Sequence, residues 1–348
     1  MSRRFPALLL AIPTTALVLS GCATGGTSDG SGGAGSDAVQ VLASTNVYGD
    51  IAATIGGDAV EVTSIIDSAA QDPHSYEASA QDQLDVANAA LVIENGGGYD
   101  PFIDDLVGAA GTDDLVVLNA SELSGLIPGE EGTGHAEGEH AEDGHAEGEH
   151  AEDEHAEGEH ADDGHAEGEG HEHIEGFNEH VWYSVEAMDA LAHEIAHELA
   201  EIDPGNAEAF EANYDAFAEE LDGITTAAGA IAADHEGEGV AVTEPVPLYL
   251  LASAGLVNAT PEAFSEAIEE GTDVSPAVLA ETLDLFGGGD VALLAYNAQT
   301  TGSETERVLE AAQDADVPVV DFTETLPDGD DYVGWMSANL EAVADALG

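Results

Sequence analysis

"VQVLASTNVYGDIAATIGGDAVEVTSII", residues 39–66, decides how the whole chain is read. "VQVLAST" and "VEVTSII" are short apolar runs rich in Val, Ile and Thr, which predicts buried strands. The stretch between them, Tyr48 to Ile55, reads as a helix. The alternation continues downstream: "QDQLDVANA" reads as a helix, "ALVIEN" as a strand, "DPFIDDLVGAA" as a helix and "DDLVVLNAS" as a fourth strand. Strand and helix in alternation predict a parallel α/β sheet with buried strands.

A tract from about Gly129 to His173 interrupts this lobe. It lacks apolar residues larger than Ala, so it cannot form a core and is expected to be disordered. Two helices follow. One runs from about Val185 to Glu201 and is stopped by Asp203-Pro204. The other runs from about Asn206 to Ala232, with Phe210, Tyr214, Phe217, Leu221 and Ile224 three or four residues apart. Alternation then resumes, with "GVAVTE", "DVALLAYN" and "VPVVDF" as strands. "PLYLLASAG", "SPAVLAETLDLF" and "ETERVLEAAQDA" read as helices, and "DYVGWMSANLEAVADAL" closes the chain. The expected fold class is α/β: two (βα)-type lobes with central parallel sheets, joined by a single long rigid helix. The expected boundaries are 38–204 for the first lobe with its insertion, 205–233 for the connecting helix and 238–348 for the second lobe.

Charge narrows the function. The 348 residues carry 73 Asp plus Glu against 3 Lys plus Arg. Arg3 and Arg4 lie at the N-terminus, so the body keeps one basic side chain, Arg307. Such a surface repels phosphate backbones and anionic headgroups and attracts cations, which excludes nucleic acid as a partner.

The N-terminus, "MSRRFPALLLAIPTTALVLSGCATGG", puts two arginines before a short apolar run. Residues 1–22 read as a signal peptide, too short and one-sided to span a membrane. Leu19-Ser20-Gly21-Cys22 resembles the bacterial lipoprotein processing box, in which the cysteine becomes the lipid-bearing first residue. Cys22 is the only cysteine, so no disulfide can form within one molecule. Residues 23–37, rich in Gly, Ser and Thr, read as a flexible tether. The expectation is an exported monomer, lipid-anchored to the outer face of the cytoplasmic membrane.

Nine of the fourteen histidines repeat through the acidic tract: His135, His140, His145, His150, His155, His160, His165, His171 and His173. Steps of five residues turn a helix by roughly 500°, so no single face collects them. The tract reads as a polydentate chain that captures metal loosely. Outside it lie His74, His180, His193, His197 and His235. His74, in "QDPHSYEAS", follows a strand and precedes a helix, where ligands of open α/β sheets bind. His180, in "NEHVWYS", is flanked by Trp182 and Tyr183. In the second lobe Glu244 closes the strand "VAVTE", and Glu324 follows the strand "VPVVDF". Two imidazoles and two carboxylates would make a four-ligand site in the cleft. Imidazole suits Zn²⁺ and other transition metals, and carboxylate suits Mn²⁺.

These motifs, in this order, resemble the metal-binding lipoproteins that deliver zinc or manganese to ABC importers. "DPHSYE" is similar to that family's Asp-Pro-His signature. "EHVWYS" is similar to its His-x-Trp motif, preceded here by a His/acid-rich insertion, as in the zinc members. "FTETLP" with "DYVGWMSANL" resembles its last ligand loop. The resemblance implies His74, His180 and Glu324 as ligands, no catalysis, and an ABC permease as partner. It also marks a departure: the family usually has a His five residues before a Tyr, and here Glu244 stands five before Tyr249. Zn²⁺ is the expected cargo and Mn²⁺ the alternative, since the Glu hardens the donor set.

Two further readings use other residues. "HEIAH", residues 193–197, has the form of a zinc-peptidase motif, with His193 and His197 as ligands and Glu194 as base. Its helix puts Met188, Leu191, Ile195, Leu199 and Ile202 on one stripe and turns both histidines away from it. A metal-buffering lipoprotein would make the tract the main device.

Overall fold

The computed structural model describes residues 38–71, 73, 76–111, 115–129, 174 and 176–348. Cys22, His74 and the nine tract histidines lie outside them. The opening stretch forms β1 (Val39–Thr45), α1 (Asn46–Gly56) and β2 (Val60–Ile66), with β1 and β2 paired in parallel from Val39↔Val60 to Thr45↔Ile66. The lobe continues with α2 (Ala80–Asn88), β3 (Leu91–Glu94), α3 (Phe102–Ala110), β4 (Val116–Asn119) and the short α4 (Ala120–Ser124). The strand order is β2-β1-β3-β4, all parallel. Local signals set the helix ends. Ser79 caps α2 in a capping box with Asp82, which satisfies amide donors that the first turn leaves open.

A 3-10 turn, Val181–Tyr183, leads into α5 (Val185–Ile202), and α6 (Ala207–His235) follows. The second lobe is β5 (Gly239–Val242), α7 (Leu248–Ser253), β6 (Val257–Asn258), α8 (Glu262–Glu269), α9 (Pro276–Gly288), β7 (Leu293–Asn297), α10 (Ser303–Asp314), β8 (Val319–Phe322) and α11 (Tyr332–Leu347). Its order, β6-β5-β7-β8, again all parallel, repeats that of the first sheet. The α/β class with two parallel sheets is as expected. The strand β6 and the helix α8 escaped the sequence reading. Two residues carry no period, and an eight-residue helix behind Pro261 offers barely two turns of pattern. Glu244 lies two residues beyond β5 rather than within it, after a last bond across the sheet from Thr243 N to Ala295 O at 3.1 Å.

One continuous core joins the lobes. Along α6 the residues Phe210, Phe217, Leu221, Ile224, Ala228 and Ile231 are buried, and each large side chain contributes about 1.5–3 kcal/mol of burial. The same cluster takes in Ile51 and Ile55 of α1 and Tyr332, Trp335 and Met336 of α11. Hydrogen bonds add staples between lobes. Asn46 donates to Leu326 O at 2.8 Å and accepts from Leu326 N at 3.0 Å. Tyr332 N donates to Asp50 at 2.8 Å, and Tyr332 OH donates to Trp182 O at 2.8 Å. Among the described residues no helix is long and apolar enough to cross a membrane.

Candidate metal centre

In each sheet the strand order reverses direction between its two central strands, and the loops leaving their carboxyl ends open a crevice there. A cavity of about 360 Å³ lies between the lobes. Its walls include His180, Glu244, Glu269, Gln299 and Glu324, with Ala69, Ala70, Gln71 and Pro73 from the first lobe. Three of the four expected ligands therefore line one cavity, and the fourth adjoins it in sequence.

His180 is 1% exposed. Its ring meets Trp182 edge-on at 5.0 Å and Tyr99 at 5.8 Å, an apolar frame that fixes its plane. Asn178 fixes its rotation, with Oδ1 2.8 Å from Nδ1. The same Asn178 ties this loop to the other lobe. Its Nδ2 donates to Pro245 O at 3.0 Å, and its carbonyl accepts from Tyr249 OH at 2.8 Å. Tyr249 thus has a structural reason to stand where it does: it fastens the His180 loop to the turn that carries Glu244.

The two carboxylates meet through one donor. Asn297, the last residue of β7, donates from Nδ2 to Glu244 Oε2 and, at 2.7 Å, to Glu324 Oε1. Glu324 Oε2 also accepts from Tyr99 OH at 3.4 Å, and its amide donates to Gln299 Oε1. Gln299 reaches the first lobe as well, donating to Ala69 O at 3.4 Å. Tyr99 is positioned by "NGGGYD", the turn after β3. Asp100 closes that turn by accepting from Asn95 N at 2.7 Å and Gly96 N at 2.8 Å. Gly96 has φ +69°, and a Cβ there would fall 2.2 Å from Asn119 Nδ2, so only glycine fits.

The cavity holds a concentration of negative charge. Glu269, at the end of α8, brings Oε1 to 3.5 Å from His180 Nδ1, and Glu179 stands beside them. Glu179, His180 and Glu269 present ligand atoms within 4.8 Å of one another. Burial, then the carboxylates of Glu179, Glu244 and Glu324, push the Glu269 carboxyl up to about 10. Arg307, the one basic side chain among the described residues, is exposed on α10, so no Lys or Arg offsets this charge.

Sequence reading missed Asn297, Gln299, Glu269 and Tyr99. Asn297 had a readable signal, since it ends a strand beside the reversal point of the sheet. Glu269 had none, because its helix was not recognised. The "HEIAH" residues behave as their spacing indicates. His193 and His197 are exposed on α5, while Leu191, Ile195 and Leu199 are buried. Glu194, His197 and Glu198 cluster there on the open face, away from the cavity.

Comparison with known proteins relates the chain to a family and its fold to solved structures. The family model described as "ZnuA: Zinc-uptake complex component A periplasmic" matches residues 41–346. The manganese-binding lipoprotein MntA of Halalkalibacterium halodurans is 24% identical over 213 residues, 60% of this chain and 54% of that protein. The chain thus spans about half the length of this relative and of the Bacillus subtilis MntA. The manganese ABC transporter substrate-binding lipoprotein PsaA of Streptococcus pneumoniae is 23% identical, with 97% of each chain covered. A crystal structure of ZnuA superposes with a TM-score of 0.63 at 19% identity, covering 90% of this chain and 100% of that one. The SBP FpvC from Pseudomonas aeruginosa, in complex with Mn²⁺, gives 0.63 at 21% identity, with 89% and 98% covered.

Proposed function

The chain belongs to the zinc-uptake complex component A (ZnuA) family, and from that premise we propose that it is the extracytoplasmic metal receptor of an ABC importer. The family is one of substrate-binding receptors, not enzymes. The observation that carries the proposal is the pairing of Glu244 and Glu324 on Asn297 in a cavity shared with His180. Two carboxylates held this close repel one another, and a divalent cation bound between them offsets that repulsion.

In this reading a divalent ion is the cargo, and His74, His180, Glu244 and Glu324 hold it. The finer assignment is Zn²⁺. Two imidazoles and two carboxylates give four donors, the usual zinc number, and zinc accepts carboxylate oxygen. Mn²⁺ is the second reading, favoured by the oxygen content of the donor set and by the names of MntA and PsaA. Anchorage through lipid on Cys22 belongs to this reading, and the names of MntA and PsaA, both lipoproteins, support it. The protein then acts as a monomer that docks on its permease. His135, His140, His145, His150, His155, His160, His165, His171 and His173 serve as accessory capture groups.

Competitive titration of the metal-free protein with Zn²⁺ and Mn²⁺ tests this. One tight site that is lost in His180→Ala supports the receptor. A tight site that survives that change overturns it. If Mn²⁺ binds tightly and Zn²⁺ does not outcompete it, the zinc assignment fails and the manganese one stands.

A further inference from the structure

We propose that Asn46 is a positioning residue for Glu324: through this one amide the first lobe sets where the second lobe's last ligand stands in the metal centre. The inference rests on the receptor reading and adds a residue that does not itself line the cavity.

Asn46 is the first residue of α1, directly after β1. A polar side chain at a helix start ordinarily serves the helix's own open amides. The Asn46 amide is turned to the other lobe instead. Its Nδ2 donates to Leu326 O at 2.8 Å, and its Oδ1 accepts from Leu326 N at 3.0 Å. A backbone N–H only donates, so the second contact assigns the amide orientation. Taking the donor and the acceptor of one residue together fixes that residue in both place and direction. Roughly one helical turn further along α1, Asp50 accepts from Tyr332 N at 2.8 Å. The helix α1 thus grips both ends of the segment that leads from the Glu324 loop into α11.

Glu324 stands between β8 and that grip. Its preceding residue is also held from the first-lobe side: Tyr183 OH, three residues after His180, donates to Thr323 O at 2.7 Å. Within the second lobe, Gln299 Oε1 accepts from the amides of Glu324 and, at 3.2 Å, Thr325. From Thr323 to Leu326 the main chain is therefore held at every residue, and the two outer fixings come from across the cleft. The Glu324 backbone moves with α1 and with the turn that carries His180, not with the second sheet alone. Without the Asn46 amide, the next cross-lobe hydrogen bonds after Glu324 among the described residues are those of Tyr332. A tight site needs its ligand groups held within about 0.5 Å of their working geometry. Loosening this stretch would cost metal affinity through Glu324. A bracket that merely joined the lobes would stabilise the fold without regard to Glu324.

The test is a double-mutant cycle in the full-length protein, with Zn²⁺ affinity measured against a chromophoric chelator. Changes at partners of metal ligands typically alter affinity about 10–100-fold, and Asn46→Ala is expected to lower it about tenfold. In a Glu324→Ala background the same change should stay within about twofold of no effect, because the group it positions is gone. An equal fall in both backgrounds, or no fall in either, overturns the proposal. Should Asn46→Ala fail to fold, Asn46→Ser decides through the same cycle. One short hydroxyl cannot serve Leu326 N and Leu326 O together, so affinity should again fall only while Glu324 is present. Failure of the receptor reading looks different: wild type, His180→Ala and Glu324→Ala would then all bind Zn²⁺ alike.

Discussion

Asn95 and Asn297 stand at equivalent places in the two lobes, each two residues beyond the last position at which the third strand of its sheet pairs with the second. The pairs are Ala43↔Ile93 in the first sheet and Val242↔Ala295 in the second. They serve different groups. Asn95 donates to Glu179 O at 3.0 Å and accepts from Tyr48 OH, so it fixes the backbone next to His180. Asn297 binds the carboxylates themselves. The first lobe thus builds its half of the site by holding main chain inside an aromatic frame. The second builds its half by clamping charged side chains. An imidazole needs only orientation, whereas adjacent carboxylates also need their repulsion offset.

That contrast predicts a graded set of failures. His180→Ala removes a ligand and should lower cleft affinity by more than the roughly 10–100-fold that outer partners cost; isothermal titration reads it. An effect below tenfold would place the ion elsewhere. Asn95→Leu should act chiefly on stability. It strands buried partners on Tyr48 and Glu179, a loss of about 1–3 kcal/mol each, seen as a lower Tm of the apo protein. If instead it shifted the ratio of Zn²⁺ to Mn²⁺ affinity, the division of labour between lobes would be wrong. Tyr249→Phe removes one bond to Asn178, worth about 1 kcal/mol, and should loosen metal binding a few-fold for both ions equally.

Titration sharpens the comparison on the first-lobe side. Burial holds the Glu94 carboxyl up at about 8 and the Asp100 carboxyl at about 6. Raised carboxyl values mean that the folded state binds more protons than the unfolded one. Their stabilisation is complete below the unfolded value of about 4 and declines as pH rises towards 6 and then 8. The apo protein should melt higher at pH 5 than at pH 8. Glu94→Gln, which still accepts from Asn119, should narrow that gap. An unchanged gap would remove Glu94 from the explanation. The smallest equilibrium effect is expected from deleting residues 135–173. Loading at scarce metal should slow while the tight site persists.

Much of this was legible in the sequence, for identifiable reasons. The runs 39–45 and 60–66 alternate with a helix and specify the first sheet, and the Phe210–Ile224 stripe specifies the long helix. His180, Glu244 and Glu324 were legible because each follows a recognisable structural boundary. What was not legible depended on three-dimensional meeting. Nothing local in "AYNAQTT" says that one amide will find glutamates 53 and 27 residues away. Glu269 reaches His180 only because an eight-residue helix happens to end there. Tyr99 needed the conformation of three consecutive glycines with positive φ before its hydroxyl could lie under Glu324.

The most direct test is anomalous diffraction at the zinc edge from crystals of the zinc-loaded, full-length protein. The account predicts one dominant peak between the lobes, bonded to His180, Glu244 and Glu324. A dominant peak on the exposed His193–His197 face of α5, or none in the cleft, would contradict it.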